Sequence, residues 1–166
     1  MTLSPKDLTV LTDAAVAAAR EAGRLIASYL DKDVAVEHKT GRDSLAAQVL
    51  TEVDLLAQQT ILRSLADVTR HYDLALLAEE SADDGSRLEK DYFWCIDPID
   101  GTSEFIRGSD EHCIMICLLH HNNPIFSLIS IPQENRFYYG GPGLGIQVEA
   151  LDQTFEAHTL TPQAPS

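Results

Sequence analysis

The second half of the sequence, from His112 to Tyr139, consists of short apolar runs joined by short polar turns. The runs cover 112–119, 125–131 and 136–139, and the segments between them are only five and four residues long. Parallel neighbouring strands need a crossover of roughly a dozen residues or more, whereas antiparallel strands can be joined by a tight turn. The pattern therefore predicts a largely antiparallel sheet.

Two amphipathic helices are predicted ahead of this sheet. The segment Ser4–Asp7 offers an N-cap serine, a proline in the first turn and an acid three residues after the cap, a combination typical of a helix start. Apolar residues then recur every three or four positions to about Leu30, which indicates one buried stripe. A second helix is predicted from Thr51 to about Val68.

Alternation at Val34, Val36 and His38 predicts a short strand at 34–38, and continuous apolar runs predict strands at 74–78 and 92–96. The fold class is therefore expected to be α+β, with a largely antiparallel sheet and the two long helices packed on one face. A chain of 166 residues is long enough to bury the core of one domain. We place that domain at 1–158, and the proline-containing tail 159–166 has the composition of a linker.

The chain is strongly acidic, with 26 acidic and 12 basic residues and a formal net charge of −14. This balance argues against binding a nucleic-acid polymer through a basic surface. The N-terminus lacks the regions of a signal peptide, and the longest apolar run, Cys113–Leu119, is too short to cross a membrane. Cys95, Cys113 and Cys117 form no CxxC pair, so we expect buried, reduced thiols and a cytoplasmic protein.

Acids cluster at the ends of predicted elements: Asp54 in the first turn of the second helix, Glu79-Glu80 after one strand, and Asp97 with Asp100 after the next. If the two strands are neighbours, these carboxylates converge, and hard carboxylate oxygens are the ligands that Mg²⁺ prefers. Simpler interpretations remain open. A lone D-x-x-D-G is typical of an ordinary turn, Thr51-x-x-Asp54 is a good helix cap, and the acids could serve only solubility.

Residues 97–102, D-P-I-D-G-T, favour a tightly turned backbone. The proline fixes one φ angle and removes a donor, so the Ile99 carbonyl and the Asp100 side chain can face the same point as the first aspartate. Gly101 permits close approach of a ligand, and the N–H groups of Gly101 and Thr102 could bind a phosphate. The hydroxyl of Thr102 is expected to be free.

The sequence contains three motifs in this order: "TEVD" at Thr51–Asp54, "EES" at Glu79–Ser81 and "DPIDGT" at 97–102. Together they resemble the signature of the inositol monophosphatase superfamily of Mg²⁺-dependent, lithium-sensitive phosphatases. Within that superfamily, Glu104 in "DGTSEF" makes the sequence more similar to the 3'(2'),5'-bisphosphate nucleotidases than to the inositol phosphatases.

The resemblance implies a metal-binding role for several motif residues. Glu79 and Asp97, together with the carbonyl of Ile99, would hold a first Mg²⁺, while Asp97 and Asp100 would share a second. Two or three ions are expected in all, with inhibition by Li⁺.

The resemblance also implies catalytic and substrate-binding residues. Asp54 and Thr102 would polarise the attacking water, and the substrate would contact Glu79, Asp100, Gly101 and Thr102. The reaction would be hydrolysis of a phosphomonoester by a metal-activated water. The expected substrate is adenosine 3',5'-bisphosphate, from which the 3'-phosphate would be removed. An inositol monophosphatase-like activity on another small phosphorylated substrate is the alternative.

The chain departs from the family pattern in one respect. Family members carry a second α/β domain with a W-D-x-A motif, and here the only tryptophan is Trp94. The resemblance therefore implies the first half of a sugar-phosphatase αβαβα sandwich, with the second domain absent. A catalytically incomplete domain that binds metal or a partner is a further alternative, in which a homodimer or the missing domain would cover an exposed apolar interface.

Overall fold

The computed structural model describes residues 2–30, 45–150 and 158–160. The long helices are α1 (Pro5–Leu30) and α2 (Leu45–His71). The strands are β1 (Ala75–Ala78), β2 (Tyr92–Asp100), β3 (Cys113–His120), β4 (Asn123–Ile131), β5 (Arg136–Gly141), β6 (Gly145–Ala150) and β7 (His158–Leu160). The short helical segments are α3 (Thr102–Ile106) and two 3-10 turns, Ser86–Leu88 and Pro132–Glu134.

The strands form one seven-stranded sheet in chain order, β1 to β7. The β1–β2 pair is parallel, and the remaining neighbouring pairs are antiparallel. Helices α1 and α2 pack against each other, with α2 on β2 and α1 on β3 and β4. The predicted α+β class, the antiparallel meander and the two-helix layer are confirmed.

The core lies between the helix layer and one face of the sheet. In β2 and β3 the residues that face the helices are almost fully buried: Trp94 is 0% exposed, Ile96 2% and Leu118 1%. Successive residues of a strand point to opposite faces, so the intervening residues lie on the other face. There, Ile129 is 41% and Ile146 43% exposed. We call this second surface the open face.

The two helix starts differ in how well the sequence predicts them. At α1 the Ser4 amide donates to Asp7 Oδ2 at 2.8 Å and the Asp7 amide donates to Ser4 Oγ at 3.3 Å, which confirms the predicted cap. The predicted start of α2 at Thr51 is wrong, because the helix begins at Leu45 and Asp54 lies well inside it rather than in the first turn. None of the helices in the described segments is long and apolar enough to cross a membrane.

One other predicted boundary is also wrong. Strand β2 does not stop at Ile96 but continues to Asp100, because a register shift against β3 between Asp97 and Asp100 accommodates the proline. Strand β7 pairs with β6 and takes up the first two residues of the predicted 159–166 linker. The predicted strand at 34–38 lies outside the described residues.

Arg20 of α1 fastens the helix layer to the far end of the sheet. Its Nη1 donates to the Ala150 carbonyl at 2.9 Å and its Nη2 to Glu149 Oε2 at 3.0 Å. The guanidinium also lies 4.8 Å from the centre of the Phe137 ring. The side chains of Arg20 and Glu149 are only 15% and 9% exposed, so this ion pair is shielded from solvent.

We expect Arg20→Ala to lower the free energy of unfolding by about 3 kcal/mol, because it leaves the Glu149 carboxylate buried without its cation. Urea unfolding measures the change. Arg70→Ala is the matched control, since the Arg70–Asp67 pair is 78% and 94% exposed and its loss should change stability by less than about 0.5 kcal/mol. Equal effects of the two substitutions would show that the buried pair does not anchor α1.

Candidate active site

The parallel pairing of β1 and β2 brings two predicted metal ligands together. Ala78 pairs with Ile96, so the next residues, Glu79 and Asp97, lie side by side at the same edge of the sheet. The Glu79 amide donates to the Ile96 carbonyl at 3.1 Å, and the Glu79 carboxyl group is near enough to help raise the pKa of Asp97. The predicted convergence of these two acids is therefore seen in the structure.

Helix α2 contributes Asp54, which is 4% exposed. Burial, followed by the negative charges of Glu80 and Glu79, raises the pKa of Asp54 to about 7. Asp54 is therefore influenced by the acids of the turn after β1, although it lies inside the helix rather than at its start.

Gln58 is a site residue that the sequence reasoning missed. It lies one helical turn after Asp54 and is 3% exposed. Its Nε2 donates to Ser81 Oγ at 2.8 Å, and its Oε1 accepts from the Glu80 amide at 2.9 Å. Both amide ends thus fix the Glu79–Ser81 turn against α2. The signal available in the sequence was a polar residue four positions after Asp54, on a helix face otherwise occupied by apolar side chains.

Asp97 is the most perturbed acid of the β1–β2 edge. Burial raises its pKa to about 7, with further increases from a hydrogen bond to Glu79 and from the charges of Glu79 and Asp100. Its Oδ1 is buried and has no hydrogen-bond partner in the described structure. A buried carboxylate oxygen without a donor is a position that a cation can satisfy.

Gly101 sets the turn after the acids. Its φ is +87°, and a Cβ at this position would lie 2.5 Å from the Glu111 carbonyl oxygen and 3.2 Å from the His112 Cα. Its carbonyl accepts from the amides of Glu104 and Phe105 at 3.0 Å each, which begins α3. The glycine is therefore required both by the backbone angle and by the close approach of the 111–112 backbone.

The expected free hydroxyl of Thr102 is wrong, because Thr102 Oγ1 donates to the Ile99 carbonyl at 3.0 Å. This contact forms because residues 99–102 turn back on themselves. A carbonyl oxygen has two lone pairs and a hydroxyl oxygen still accepts hydrogen bonds, so both groups keep acceptor capacity.

His112 packs against the segment that follows Gly101. It is 4% exposed, its Nδ1 lies 3.1 Å from the Ser109 carbonyl oxygen, and its ring meets Phe105 edge-on at 4.9 Å between centroids. Burial lowers the pKa of His112. It fills the space beneath α3.

Asp100 is exposed and accepts a weak hydrogen bond from Cys113 Sγ at 3.9 Å. Within the described residues, no three His, Cys, Asp or Glu side chains converge closely enough to hold an ion. The acids still influence one another: the charges of Glu79 and Asp100 act on Asp97, and those of Glu80 and Glu79 act on Asp54. The hard-oxygen donor set and the unpartnered Asp97 Oδ1 nevertheless fit Mg²⁺ in their chemistry.

Comparisons with known proteins find relatives of the chain. A sequence model described as the inositol monophosphatase family matches residues 7–164. The chain is 29% identical to the 3'(2'),5'-bisphosphate nucleotidase CysQ of Haemophilus influenzae, over 81% of this chain and 48% of that protein. It is 32% identical to the inositol-1-monophosphatase of Synechocystis sp., over 86% of this chain and 47% of that protein.

A solved structure shares the fold. CysQ from Bacteroides thetaiotaomicron, described as a bacterial member of the inositol monophosphatase family, has a TM-score of 0.67 and 28% identity, with 82% of this chain and 48% of that chain covered. The chain thus spans about half the length of the curated relatives it matches.

The raised pKa values predict an unusual pH dependence of stability. An Asp in the unfolded chain keeps its ordinary pKa of 3.8, whereas Asp54 and Asp97 titrate near 7 when folded. Between these values the folded state binds more protons, so the free energy of unfolding falls as pH rises through that window. Without divalent cations we expect a fall on the order of 2 kcal/mol between about pH 5 and pH 8, allowing for solvent screening at half-buried Asp97.

Urea unfolding in EDTA at several pH values measures this fall. Asp97→Asn should flatten the curve, whereas the exposed control Asp67→Asn should leave it unchanged. Mg²⁺ should also flatten the curve, because a cation takes the place of the bound proton. A curve for Asp97→Asn that parallels the unsubstituted chain would contradict the assignment.

We expect Gly101→Ala to destabilise the chain by about 3 kcal/mol or more, since it adds both the left-handed backbone penalty and a clash with the Glu111 carbonyl. Gly85→Ala isolates the first effect, because Gly85 has a φ of +78° and a Cβ added there would meet nothing within 4 Å; it should lose about 1 kcal/mol. Urea unfolding compares the two variants. Similar losses would mean that the 111–112 backbone can move away.

Proposed function

Because this chain belongs to the inositol monophosphatase family, we propose that its acidic cluster is the active site of a Mg²⁺-dependent phosphomonoester hydrolase. The observation that carries the proposal is the pair Glu79 and Asp97. Two neighbouring carboxyl groups repel each other when both are ionised, which helps to raise the pKa of Asp97, and Asp97 Oδ1 has no donor. A divalent cation would relieve both conditions.

The proposed ligands of Mg²⁺ are the side chains of Glu79, Asp97 and Asp100 and the carbonyl of Ile99. When bound, the metal would supply Lewis-acid stabilisation of the charge that develops on the phosphoryl oxygens and would make a water more acidic. The turn pinned by Gln58 holds Glu79 in place, and the β2 bulge turns Asp100 and Ile99 away from regular strand geometry.

Asp54 and Thr102 are the proposed catalytic pair. Asp54 has a pKa of about 7, which suits a general base near neutral pH, and it would accept a proton from the attacking water. The Thr102 hydroxyl is oriented by its hydrogen bond to Ile99, so its oxygen would accept a hydrogen bond from the same water. Helix α2, which carries Asp54, contacts α3, which Thr102 begins.

The substrate is proposed to be a small phosphorylated molecule held by Glu79, Asp100 and the backbone amides of Gly101 and Thr102. The favoured substrate is adenosine 3',5'-bisphosphate, cleaved at the 3'-phosphate. Its support is Glu104 in the motif and the bisphosphate nucleotidase name of a relative. The name inositol-1-monophosphatase on another relative supports the second candidate, an inositol phosphate.

A catalytically incomplete domain is a third candidate, and one observation favours it. The open face exposes Ile129 and Ile146 by 41% and 43%. Under this proposal a second domain or a second copy of the chain covers the open face, and the acidic cluster binds cation without turnover.

Phosphate release from adenosine 3',5'-bisphosphate and from inositol 1-phosphate, with and without Mg²⁺, tests these proposals. We expect Mg²⁺-dependent release that is faster with the nucleotide. Asp54→Asn should lower kcat by about 10²-fold or more with little change in KM, because it removes the base and not the binding contacts. Asp97→Asn should abolish the Mg²⁺-dependent release.

Asp67→Asn is the control for both variants, since Asp67 is 94% exposed and pairs with Arg70 away from the cluster. Activity that survives unchanged in Asp97→Asn would refute the site. Faster release from inositol 1-phosphate would favour the second candidate. No turnover together with a melting temperature that Mg²⁺ raises only while Asp97 is intact would favour the third.

A further inference from the structure

Two cysteines face each other across neighbouring strands. Cys95 of β2 and Cys117 of β3 are direct partners in the antiparallel ladder. The register around them is regular, with Trp94 opposite Leu118 and Ile96 opposite Ile116. Both sulfur atoms therefore project from the same face of a continuous, undistorted part of the sheet.

The distance across such a pair suits a covalent link. Directly opposed residues of antiparallel strands have Cα atoms about 4.5 or 5.5 Å apart, depending on their place in the hydrogen-bond pattern. Disulfides span Cα separations of about 4.4–6.8 Å. Either pairing type thus lies within the range that a disulfide bridges without moving the backbone.

Both thiols lie on the open face. Their strand neighbours Trp94 and Ile116 are 0% exposed beneath the helices, so the alternation of a strand turns the cysteines to the other side. Both cysteines are free and half-buried, which corrects the expectation of buried thiols. Cys117 Sγ lies 2.8 Å from the hydroxyl of Ser127, an exposed residue of β4, so small reagents can reach this row.

We propose that Cys95 and Cys117 form a reversible dithiol–disulfide site that reacts with low-molecular-weight disulfides of the glutathione type. One cysteine thiolate attacks a sulfur of the small disulfide, forms a mixed disulfide and releases one small thiolate. The second cysteine, after losing its proton, attacks the protein sulfur of that mixed disulfide and releases the second small thiol. The two protein thiols are oxidised by two electrons, and one small disulfide is reduced to two thiols.

Cys113 provides an internal control. It lies on the same strand and face as Cys117 but four residues away, which is roughly 13 Å along a strand. Its thiol donates to Asp100 Oδ2 at 3.9 Å. A link between Cys113 and either partner would require the sheet to rearrange. The inference is independent of the proposed phosphatase activity.

The test uses the full chain with an excess of oxidised glutathione at about pH 8, followed by acid quenching and alkylation. The reduced chain has three thiols, and we expect two of them to be lost with a mass decrease of about 2 Da. Peptide mapping should show a Cys95–Cys117 link, and dithiothreitol should restore all three thiols.

Variants separate the pair from the third cysteine. Cys113→Ser should still form the link, whereas Cys117→Ser should give only an adduct with one glutathione on Cys95. The proposal is overturned if the unsubstituted chain keeps three thiols, accumulates unresolved glutathione adducts, or forms a link that involves Cys113 or two chains. The first of these measurements needs no variant, so the proposal is tested even if a substituted chain folds poorly.

Discussion

The parallel pairing of β1 with β2 is the contact on which the acidic cluster depends. Among the described strand pairs it is the one in which both strands run in the same direction, so both leave the sheet at the same edge. Glu79 and Asp97 then meet because the residues before them, Ala78 and Ile96, are ladder partners. A shift of one residue in this register would turn one of the two carboxylates to the opposite face.

The acids weaken the fold where they meet, and the stabilising contacts lie elsewhere. Burial and mutual repulsion raise the pKa of Asp54 and Asp97 to about 7, which means that ionising them in the folded chain is unfavourable. The compensating contacts are the buried side chains under α1 and α2 and the shielded Arg20–Glu149 pair at the far end of the sheet. Gln58 adds a local restraint by satisfying the turn that carries Glu79. A bound cation would remove the repulsion without changing these contacts.

Sequence reasoning succeeded where the signal was local and repeated: the meander followed from turn length, and α1 from its apolar period and its cap. It failed at the start of α2, because the helix-forming residues before Thr51 extend the helix towards the N-terminus, beyond the plausible cap at Thr51. It also failed at Ile96, because a bulge lets strand β2 continue through a proline. It also missed Gln58, which contacts residues 22 and 23 positions away, because no spacing rule connects such distant positions. The hydrogen bond from the Thr102 hydroxyl to the Ile99 carbonyl was also missed. It lies in a turn that residues 111–112 approach closely at Gly101, and these residues lie outside the motif.

Strand alternation links the acidic cluster to the open face. In β2 the even-numbered Trp94 and Ile96 enter the core, whereas Cys95 and Asp97 face the other side, where Met115 pairs with Asp97. A layer that covered the exposed apolar residues of β4 and also extended over β2 would remove more solvent from Asp97. Further desolvation favours the neutral carboxyl unless a cation is present. If the proposed cation binds at Asp97, such a cover would therefore make the ionised form of this carboxyl group depend more strongly on the cation.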